Sequence, residues 1–199
     1  MAALMDALKK RRSIYGFSGE EPVPQEKIVE IVEYALTLTP SSFNSQSTRA
    51  VVLFGEHHKK LWDIVLNALR KVTNDQQFAS SEKKVRGDFQ SGYGTVLFFE
   101  DQDVIQGLMS QFSLYADRFP VWSEHTAGMH QLVVWTALAE AGLGASLQHY
   151  HPLIDEAVKK EWNLPDSWKL TAQMPFGKAA AAPGEKEHMP MEKRLQVFR

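Results

Sequence analysis

The chain has 199 residues, of which 44% are hydrophobic and 23% charged, with a net charge of -2 and no cysteine. This composition is typical of a globular protein that buries a full core without a disulfide or a structural metal. The negative balance argues against a nucleic-acid partner, and the lack of cysteine excludes disulfides, thiolate metal sites and cysteine nucleophiles. We expect one domain over residues 1–199, with no signal peptide, no membrane span and a cytoplasmic location.

The first half of the chain alternates helices and strands. Apolar residues at helical spacing predict the helices, and uninterrupted β-rich apolar runs predict the strands. In chain order these are a helix at 2–12, a helix at 25–38, a strand at 49–55, a helix at 57–72 and a strand at 94–100. Residues 73–93 show no clear period, and His57-His58, at the start of a helix, is assigned to the surface.

The second half of the chain continues this mixture of elements. The segment 123–141 is apolar or small nearly all round, which predicts a centrally placed helix. In chain order the predictions are a helix at 102–117, a break at Phe119-Pro120, a helix at 123–141, a strand at 145–150, a helix at 152–161, a strand at 168–176 and an edge strand within LQVF at 195–198. The whole pattern indicates an α+β protein.

Motifs for several common chemistries are missing from the sequence. It contains no P-loop, no GxGxxG, no HExxH and no GxSxG. His149 and His151 flank Tyr150 and could face one way on a strand, as two metal ligands would, but no third ligand is placed nearby. We therefore interpret them as polar residues at a strand end, and we predict no metal site and no side-chain nucleophile.

A basic triplet, Arg11-Arg12-Ser13, comes at the end of the first helix. Cations at the C-terminal end of a helix complement its dipole, which would account for one of the arginines. Two guanidinium groups beside a hydroxyl also suit a phosphate, which arginine binds bidentately. The spacing alone leaves both interpretations open.

Two further polar clusters are not explained by folding alone. The loop at 40–48 carries two hydroxyls and two amides, on Ser41, Ser42, Asn44 and Gln46. Amides offer both donor and acceptor edges, as the isoalloxazine ring of a flavin does. The other cluster, at 143–148, follows the long helix and is itself followed by Lys178 and the pair Lys193-Arg194.

In this order, the three clusters resemble the FMN-dependent nitroreductase family. The family layout has RRS near the start, P-S-S-x-N-S-Q ahead of the first strand, A-x-x-G-L-G-A after a central helix and a basic pair near the C-terminus. The resemblance covers essentially the whole chain. The segments RRSIY and FNSQSTR resemble the corresponding sequences of a compact bacterial and fungal branch, which includes stress-induced nitroreductases and quinone reductases.

The resemblance implies a fold, an assembly and a cofactor. The fold would have a central, mainly antiparallel sheet flanked by helices, in an interlocked homodimer with two FMN sites across its interface. NADH or NADPH would reduce the flavin, and a nitroaromatic or a quinone would then be reduced in a ping-pong scheme that needs no catalytic side chain. The residues implied to bind FMN are Arg11, Arg12, Ser13, Ser41, Ser42, Asn44, Gln46, Arg49, Leu147, Gln148, Lys178, Lys193 and Arg194.

One departure from the family concerns the charge beside the flavin ring. Tyr15 stands where many members have a lysine, so Arg12 or Arg49 could supply the positive charge that stabilises reduced flavin. Trp122, beside the predicted helix break, is the leading candidate to line the substrate pocket. The other candidates are Phe43, Phe78, Phe112, Tyr115, Phe119 and His125, with core packing as the alternative for each aromatic residue.

Two rival functions stay open at this point. One is a flavin-binding regulatory or stress-signalling protein with little turnover, which would use the same cofactor residues. The other is a structural or interaction domain without flavin, in which all three clusters are only loops and caps.

Overall fold

The structure, a computed structural model, describes residues 2–199. Its helices are α1 (Ala2–Lys10), α2 (Gln25–Leu38), α3 (Gly55–Val72), α4 (Asp75–Lys84), α5 (Gln102–Gln111), α6 (Phe119–Glu140) and α7 (Asp155–Glu161). Its strands are β1 (Thr48–Phe54), β2 (Gly94–Asp101), β3 (Gly144–Ala145) and β4 (Trp168–Gly177). Within residues 2–199, no helix is both long enough and apolar enough to cross a membrane.

The four strands form one antiparallel sheet in the order β1-β2-β4-β3. At one end of the sheet, Thr48 pairs with Glu100, which pairs with Lys169. At the other end, Gly94 and Ala145 both pair with Phe176. This arrangement, with helices on both faces, confirms the predicted antiparallel sheet flanked by helices.

The central strand β2 is apolar on both faces, which explains why its sequence is one continuous apolar run. Val96 and Phe98 point to the face covered by α2 and α6, where they pack with Val134 of α6. Leu97 and Phe99 point to the opposite face, covered mainly by α3. Alternate residues of a strand face opposite sides of the sheet. A strand that lies between two layers of helices therefore has no face exposed to solvent, and both of its faces carry apolar side chains.

The long helical stretch is divided differently from the prediction. Phe119-Pro120 does not break a helix but begins α6, because proline fits the first turn, where its missing N–H has no helical partner. The preceding helix α5 ends at Gln111, and a short 3-10 turn follows at 113–115. One face of α6 is buried against the sheet, as the central placement required. Its other face exposes apolar side chains, on Val121, Met129, Leu132 and Val133.

The predicted strand at 145–150 is wrong beyond Ala145. Ser146 N donates to Pro175 O, but Pro175 has no N–H with which to return the bond, so the ladder stops there. Pairing resumes only at Gln148, which forms an isolated bridge with Gln173. The following helix starts at Asp155 rather than at 152.

The predicted edge strand within LQVF is also wrong. Residues 195–198 form no strand, and all residues from Lys178 to the C-terminus are exposed. Apolar residues do alternate in this segment, but within the described chain it does not pair with an edge of the sheet. The unassigned segment 73–93 forms α4 and a π-helical turn at Val85–Phe89.

His58 is buried, and the surface assignment from the sequence is therefore wrong for this residue. Its Nδ1 lies 2.8 Å from Thr95 Oγ1, and its Nε2 lies 3.2 Å from the carbonyl oxygen of Gln90. Thr95 also accepts a hydrogen bond from Trp62 Nε1, at 3.1 Å. A neutral ring with its proton on Nε2 satisfies all of these groups, because Thr95 can then donate to Nδ1.

This buried histidine predicts a pH-dependent stability. Burial lowers the pKa of His58 from 6.5 to about 4, so the folded protein binds fewer protons than the unfolded chain between these values. The stabilisation is therefore complete above pH 6.5 and is lost as the pH falls towards 4, by on the order of 3 kcal/mol. The free energy of unfolding, measured with urea between pH 7.5 and 4, should fall less steeply with decreasing pH for His58→Gln than for the wild type. If this free energy depended on pH equally in the two proteins, His58 would be ruled out as the titrating group.

Gly144 allows the segment after α1 to lie against β3. Ser13 forms a parallel bridge with Ala145, and Ile14 N donates to Ala145 O at 2.9 Å. A Cβ atom on Gly144 would lie 2.7 Å from Cγ2 of Ile14, closer than unbonded carbon atoms approach. The absence of a side chain at this position therefore permits the contact between the two segments.

We predict that Gly144→Ala destabilises the protein by about 1–3 kcal/mol, because the buried Ile14 has to move. Gly107→Ala is the matched control, since Gly107 lies within α5 with open space around it and alanine should stabilise the helix by about 0.5–1 kcal/mol. Urea unfolding of Gly144→Ala, Ile14→Ala and the double variant gives the coupling between the two positions. Strictly additive effects would show that the two side chains do not meet.

Candidate functional site

The basic triplet and the end of the long helix meet in one place. Ser13 is bridged to Ala145, whose carbonyl oxygen accepts a hydrogen bond from Trp135 Nε1 at 3.1 Å. The guanidinium carbon of Arg11 lies 4.4 Å from the centre of the Trp135 ring. Arg11 Nε is buried and has no hydrogen-bond partner within residues 2–199. The first and third clusters of the sequence are therefore neighbours, and they hold one unsatisfied cationic donor.

A cavity beside the triplet is lined by cations without a carboxylate among its lining residues. Its volume is about 330 Å³, and it is lined by Met5, Leu8, Lys9, Arg11, Arg12, Lys186 and His188. Lys9 and Lys10 already occupy the last turn of α1, so its dipole does not need the two arginines that follow. Between the two interpretations of the triplet, this geometry favours an anion-binding site.

The C-terminal segment crosses over the triplet, and the basic residues predicted from it make contacts of their own. Arg12 donates to the carbonyl oxygen of Gly184, at 2.6 Å. Lys178 instead forms an ion pair with Glu20, at 2.6 Å. Lys193 and Arg194 lie in an exposed turn, where their backbone N–H groups bond to Pro190 and Met191. Lys178 is therefore engaged by Glu20, and the contact of the Lys193-Arg194 pair with the phosphate end stays a prediction.

The polar loop at 41–47 has an unusual backbone. Phe43, Asn44 and Gln46 have φ values of 57°, 51° and 48°, in the left-handed region that side chains other than glycine rarely adopt. Ser41 Oγ accepts a hydrogen bond from Gln46 N at 2.9 Å, and Arg49 donates to Gln46 O at 2.6 Å. The side chains of Asn44 and Gln46 are exposed, so the loop presents both amides outward. Such conformations cluster at functional sites.

A buried carboxyl group that the sequence reasoning missed lies beneath this loop. Glu100 is fully buried, and its two oxygens accept hydrogen bonds from Ser47 Oγ at 2.5 Å and from Thr48 Oγ1 at 2.6 Å. Burial raises the pKa of Glu100, while the two hydroxyls act in the opposite direction. The available signal was a pair of acidic residues, Glu100 and Asp101, at the end of an otherwise apolar strand.

His130 extends this network on its other side. Its Nδ1 lies 3.0 Å from the carbonyl oxygen of Thr126 and 3.2 Å from Thr48 Oγ1. A carbonyl oxygen can only accept, so Nδ1 carries the proton and the Thr48 hydroxyl donates to Glu100. The ring of His130 also lines a polar cavity of about 300 Å³ together with Ser41 and Gln46.

Phe43 stands at the centre of an aromatic cluster formed by most of the predicted pocket residues. Its ring centre lies 4.9 Å from that of Phe112 and 5.2 Å from that of Phe119. The rings of Phe43 and Trp122 stack, with centres 6.0 Å apart and planes 19° from parallel. Tyr115 is also 6.0 Å away, and its ring and that of Phe43 are both partly exposed.

The remaining pocket candidates lie outside this cluster. Phe78 packs on the other face of the sheet, beneath the guanidinium of Arg70 at 4.9 Å, which favours the alternative of core packing for this residue. His125 is exposed on α6, one turn beyond Trp122.

The predicted ring-side residues after β3 are held by the central strand β4. Gln148 exchanges two backbone hydrogen bonds with Gln173, and its side-chain amide donates to Ser146 Oγ at 3.1 Å. Leu147 is half-buried against the core. The rings of His149 and His151 are 5.6 Å apart, but within residues 2–199 no three metal-binding side chains are grouped.

The loop and the triplet lie at opposite ends of the sheet. The loop enters β1 beside Glu100, which pairs with Lys169, whereas the triplet adjoins Ala145, which pairs with Phe176. Seven residues of β4 separate these two levels, roughly 23 Å at about 3.3 Å per residue. The strands β1 and β3 are also the two edges of the sheet, three spacings or roughly 14 Å apart. Within one chain, the two groups cannot touch the same small ligand.

Comparisons with known proteins find relatives that match this chain over most of its length. Residues 8–178 match the model of the nitroreductase family. The Saccharomyces cerevisiae protein HBN1 is 38% identical over 95% of this chain and 94% of its own, and the S. cerevisiae nitroreductase FRM2 is 35% identical over 92% and 91%. The structure of the Lactococcus lactis nitroreductase CinD in complex with chloramphenicol is 47% identical, covers 98% of this chain and 100% of its own, and superposes with a TM-score of 0.89.

The match of the family model, the full-length yeast relatives and the shared fold all point to the same group of enzymes. This chain therefore belongs to the nitroreductase family of oxidoreductases.

Proposed function

We propose that this protein is an FMN-dependent oxidoreductase that uses NADH or NADPH to reduce nitroaromatic compounds, quinones or both. It would act as a homodimer of chains that each form a single domain over residues 1–199. The observation that supports this proposal most strongly is the cationic cavity of the triplet, joined by Ser13 to the segment that carries Leu147 and Gln148.

The residues at the triplet fit the phosphate end of FMN. The buried Nε of Arg11 has no partner within the described chain, and no carboxylate lines the cavity beside it. A phosphate would satisfy this donor, and Arg12 and Ser13 would add a second guanidinium and a hydroxyl. Lys178, Lys193 and Arg194 would need to reach this end from their present exposed positions, or from the partner subunit.

We assign the other contacts of each flavin to the partner subunit. FMN has only a short ribityl chain between ring and phosphate, whereas the loop and the triplet of one chain are separated by most of the sheet. A flavin held by the triplet of one chain would therefore meet Ser41, Ser42, Asn44 and Gln46 of the other chain. Leu147 and Gln148 would come from the chain that holds the phosphate, because they follow the strand that Ser13 contacts.

The exposed apolar surface of the chain supports a dimer. Met129, Leu132 and Val133 lie together on the open side of α6, on a helix whose other side is core. The C-terminal segment exposes five further apolar side chains, of which Phe198 is 90% exposed; these are Met189, Met191, Leu195, Val197 and Phe198. Neighbouring exposed apolar side chains are typical of a protein interface, which supports the proposed dimer.

Bound FMN would supply hydride-transfer chemistry, and the protein would supply binding, orientation and charge. The stacked rings of Phe43 and Trp122 would form an apolar wall for an aromatic acceptor. Structures of CinD have been solved in complex with chloramphenicol, 4-nitrophenol and nicotinic acid. Each of these compounds contains an aromatic ring that could pack against such a wall.

A positive charge is still available near the position of Tyr15. Lys84 Nζ lies 5.9 Å from the centre of the Tyr15 ring. Arg49, by contrast, forms an ion pair with Asp101 at 3.0 Å and donates a hydrogen bond to the carbonyl oxygen of Gln46. We therefore assign Arg49 to stabilising the loop and not to balancing the charge of reduced flavin. Since Arg12 is assigned to the phosphate, Lys84 is the better substitute for the lysine that many family members carry.

The proposed function predicts a yellow protein whose flavin can be reduced and re-oxidised. Purified protein, supplemented with FMN, should lose its visible flavin band when NADH or NADPH is added without oxygen, and a nitroaromatic or a quinone should restore it. A flavin that binds but is not reduced would support the regulatory alternative. A protein that gains no flavin band with FMN would overturn the proposal.

The shared site predicts complementation between two defective chains. Arg11→Ala should weaken FMN binding roughly 10- to 150-fold, the equivalent of one charge-assisted hydrogen bond, while Arg70→Ala on α3 serves as a control and should not. A heterodimer of an Arg11→Ala chain and an Asn44→Ala/Gln46→Ala chain would contain one fully intact site and one doubly defective site.

Such a heterodimer, purified with two affinity tags, should bind one FMN per dimer with wild-type affinity. If each site were built from a single chain, both sites of the heterodimer would be defective. Titration would then detect no site of wild-type affinity, which would contradict the assignment of the loop to the partner subunit.

A further inference from the structure

We propose that Glu100 is the positioning residue for the loop at 41–47, holding Asn44 and Gln46 in the conformation that faces the flavin. The inference rests on the proposed function for its consequence at the flavin. The contact between carboxyl group and loop is independent of any cofactor. Glu100 itself is buried, so it acts through Ser47 and Thr48 and touches neither flavin nor substrate.

The loop needs an anchor because its backbone is strained. Phe43, Asn44 and Gln46 all occupy the left-handed region, and each such residue persists only where its surroundings dictate the conformation. Ser41 bonds to Gln46 N within the loop, which closes it but does not attach it to the sheet. The packing of Phe43 against Phe119 and Trp122 holds one side of the loop, and the hydrogen-bonded attachment to the sheet comes directly after Gln46.

That attachment consists of paired neighbours on two adjacent strands. Ser47 and Thr48 each give a hydroxyl hydrogen bond to Glu100, and Arg49 gives one to Asp101. The backbone adds a further bond, from Asp101 N to Ser47 O at 2.9 Å. Both oxygens of Glu100 are thus used by consecutive residues, which leaves that part of the loop little freedom to shift or rotate.

The groups around Glu100 make the carboxyl difficult to replace. Because the Thr126 carbonyl fixes the proton of His130 on Nδ1, this nitrogen cannot accept from Thr48, and the Thr48 hydroxyl has to direct its own proton to Glu100. Glutamine at position 100 would offer one acceptor and one donor in place of two acceptors. One of the two hydroxyls would then have to accept from the amide instead of donating, and its own proton would have to turn away from position 100, while the volume of the buried side chain stayed nearly the same.

The test compares Glu100→Gln with a matched buried change on the same strand. Thr95 is as fully buried as Glu100 but lies at the other end of β2, where it bonds to His58 and Trp62. Thr95→Val should therefore lower the melting temperature without reaching the loop. Ser47→Ala, which removes one hydroxyl and leaves the carboxyl, serves as a milder second variant should Glu100→Gln fail to fold.

The first measurement is hydrogen–deuterium exchange of the peptide that contains residues 41–47. We expect faster exchange there in Glu100→Gln and in Ser47→Ala than in the wild type and in Thr95→Val. Unchanged exchange in the first two variants would overturn the proposal, whether or not the protein binds flavin. This measurement keeps the inference separate from a failure of the proposed function.

The second measurement is the affinity for FMN and for riboflavin, which lacks the phosphate. Loss of the loop contacts should weaken both ligands equally in Glu100→Gln, roughly tenfold, because only the ring end is affected. Arg11→Ala should instead reduce the preference for FMN over riboflavin. A Glu100→Gln protein that behaves like Thr95→Val, with a lower melting temperature but both affinities unchanged, would show a merely structural role.

Discussion

The burial of β2 on both of its faces is the constraint on which the rest of this structure depends. Its four middle residues are fully buried, two against the layer of α2 and α6 and two against the layer of α3. Polar side chains appear only towards its ends, where each has to find partners. Thr95 joins α3 through His58 and Trp62, and Glu100 joins the loop at 41–47 through Ser47 and Thr48. Burying a polar group without a hydrogen-bond partner destabilises the folded state. Each of these side chains therefore requires a matching polar partner in the segment that packs against it.

The same sheet separates the two parts of the proposed site. The triplet lies against β3 at one end, and the loop leaves β1 at the other, on the opposite edge. A rigid sheet keeps these parts too far apart to share a ligand within one chain. The proposed dimer would bring them together, and it would also cover the apolar side of α6 and the exposed C-terminal segment. The proposed chemistry and the proposed assembly therefore depend on one geometric fact.

Several parts of this arrangement could be predicted from the sequence, and others could not. The β-rich segments at 49–55, 94–100 and 168–176 indicated the three long strands, and the segment at 94–100 is continuously apolar because β2 is buried on both faces. The strand at 145–150 was predicted too long, since the missing N–H of Pro175 lies thirty positions away in the chain and acts only across the ladder. His58 and Glu100 were missed for a related reason: a polar residue reads as exposed until its buried partners are known.

The sequence by itself determined the three long strands, most of the helices and the ordered clusters that resemble one family, because local periodicity and motif order need no knowledge of distant contacts. Only the tertiary structure decided that Arg11 lies beside Trp135 with an unsatisfied donor, that Lys178 pairs with Glu20, and that the loop is anchored on Glu100. Each of these facts concerns residues far apart in the chain. Their chemistry depends on burial and distance, which folding alone sets.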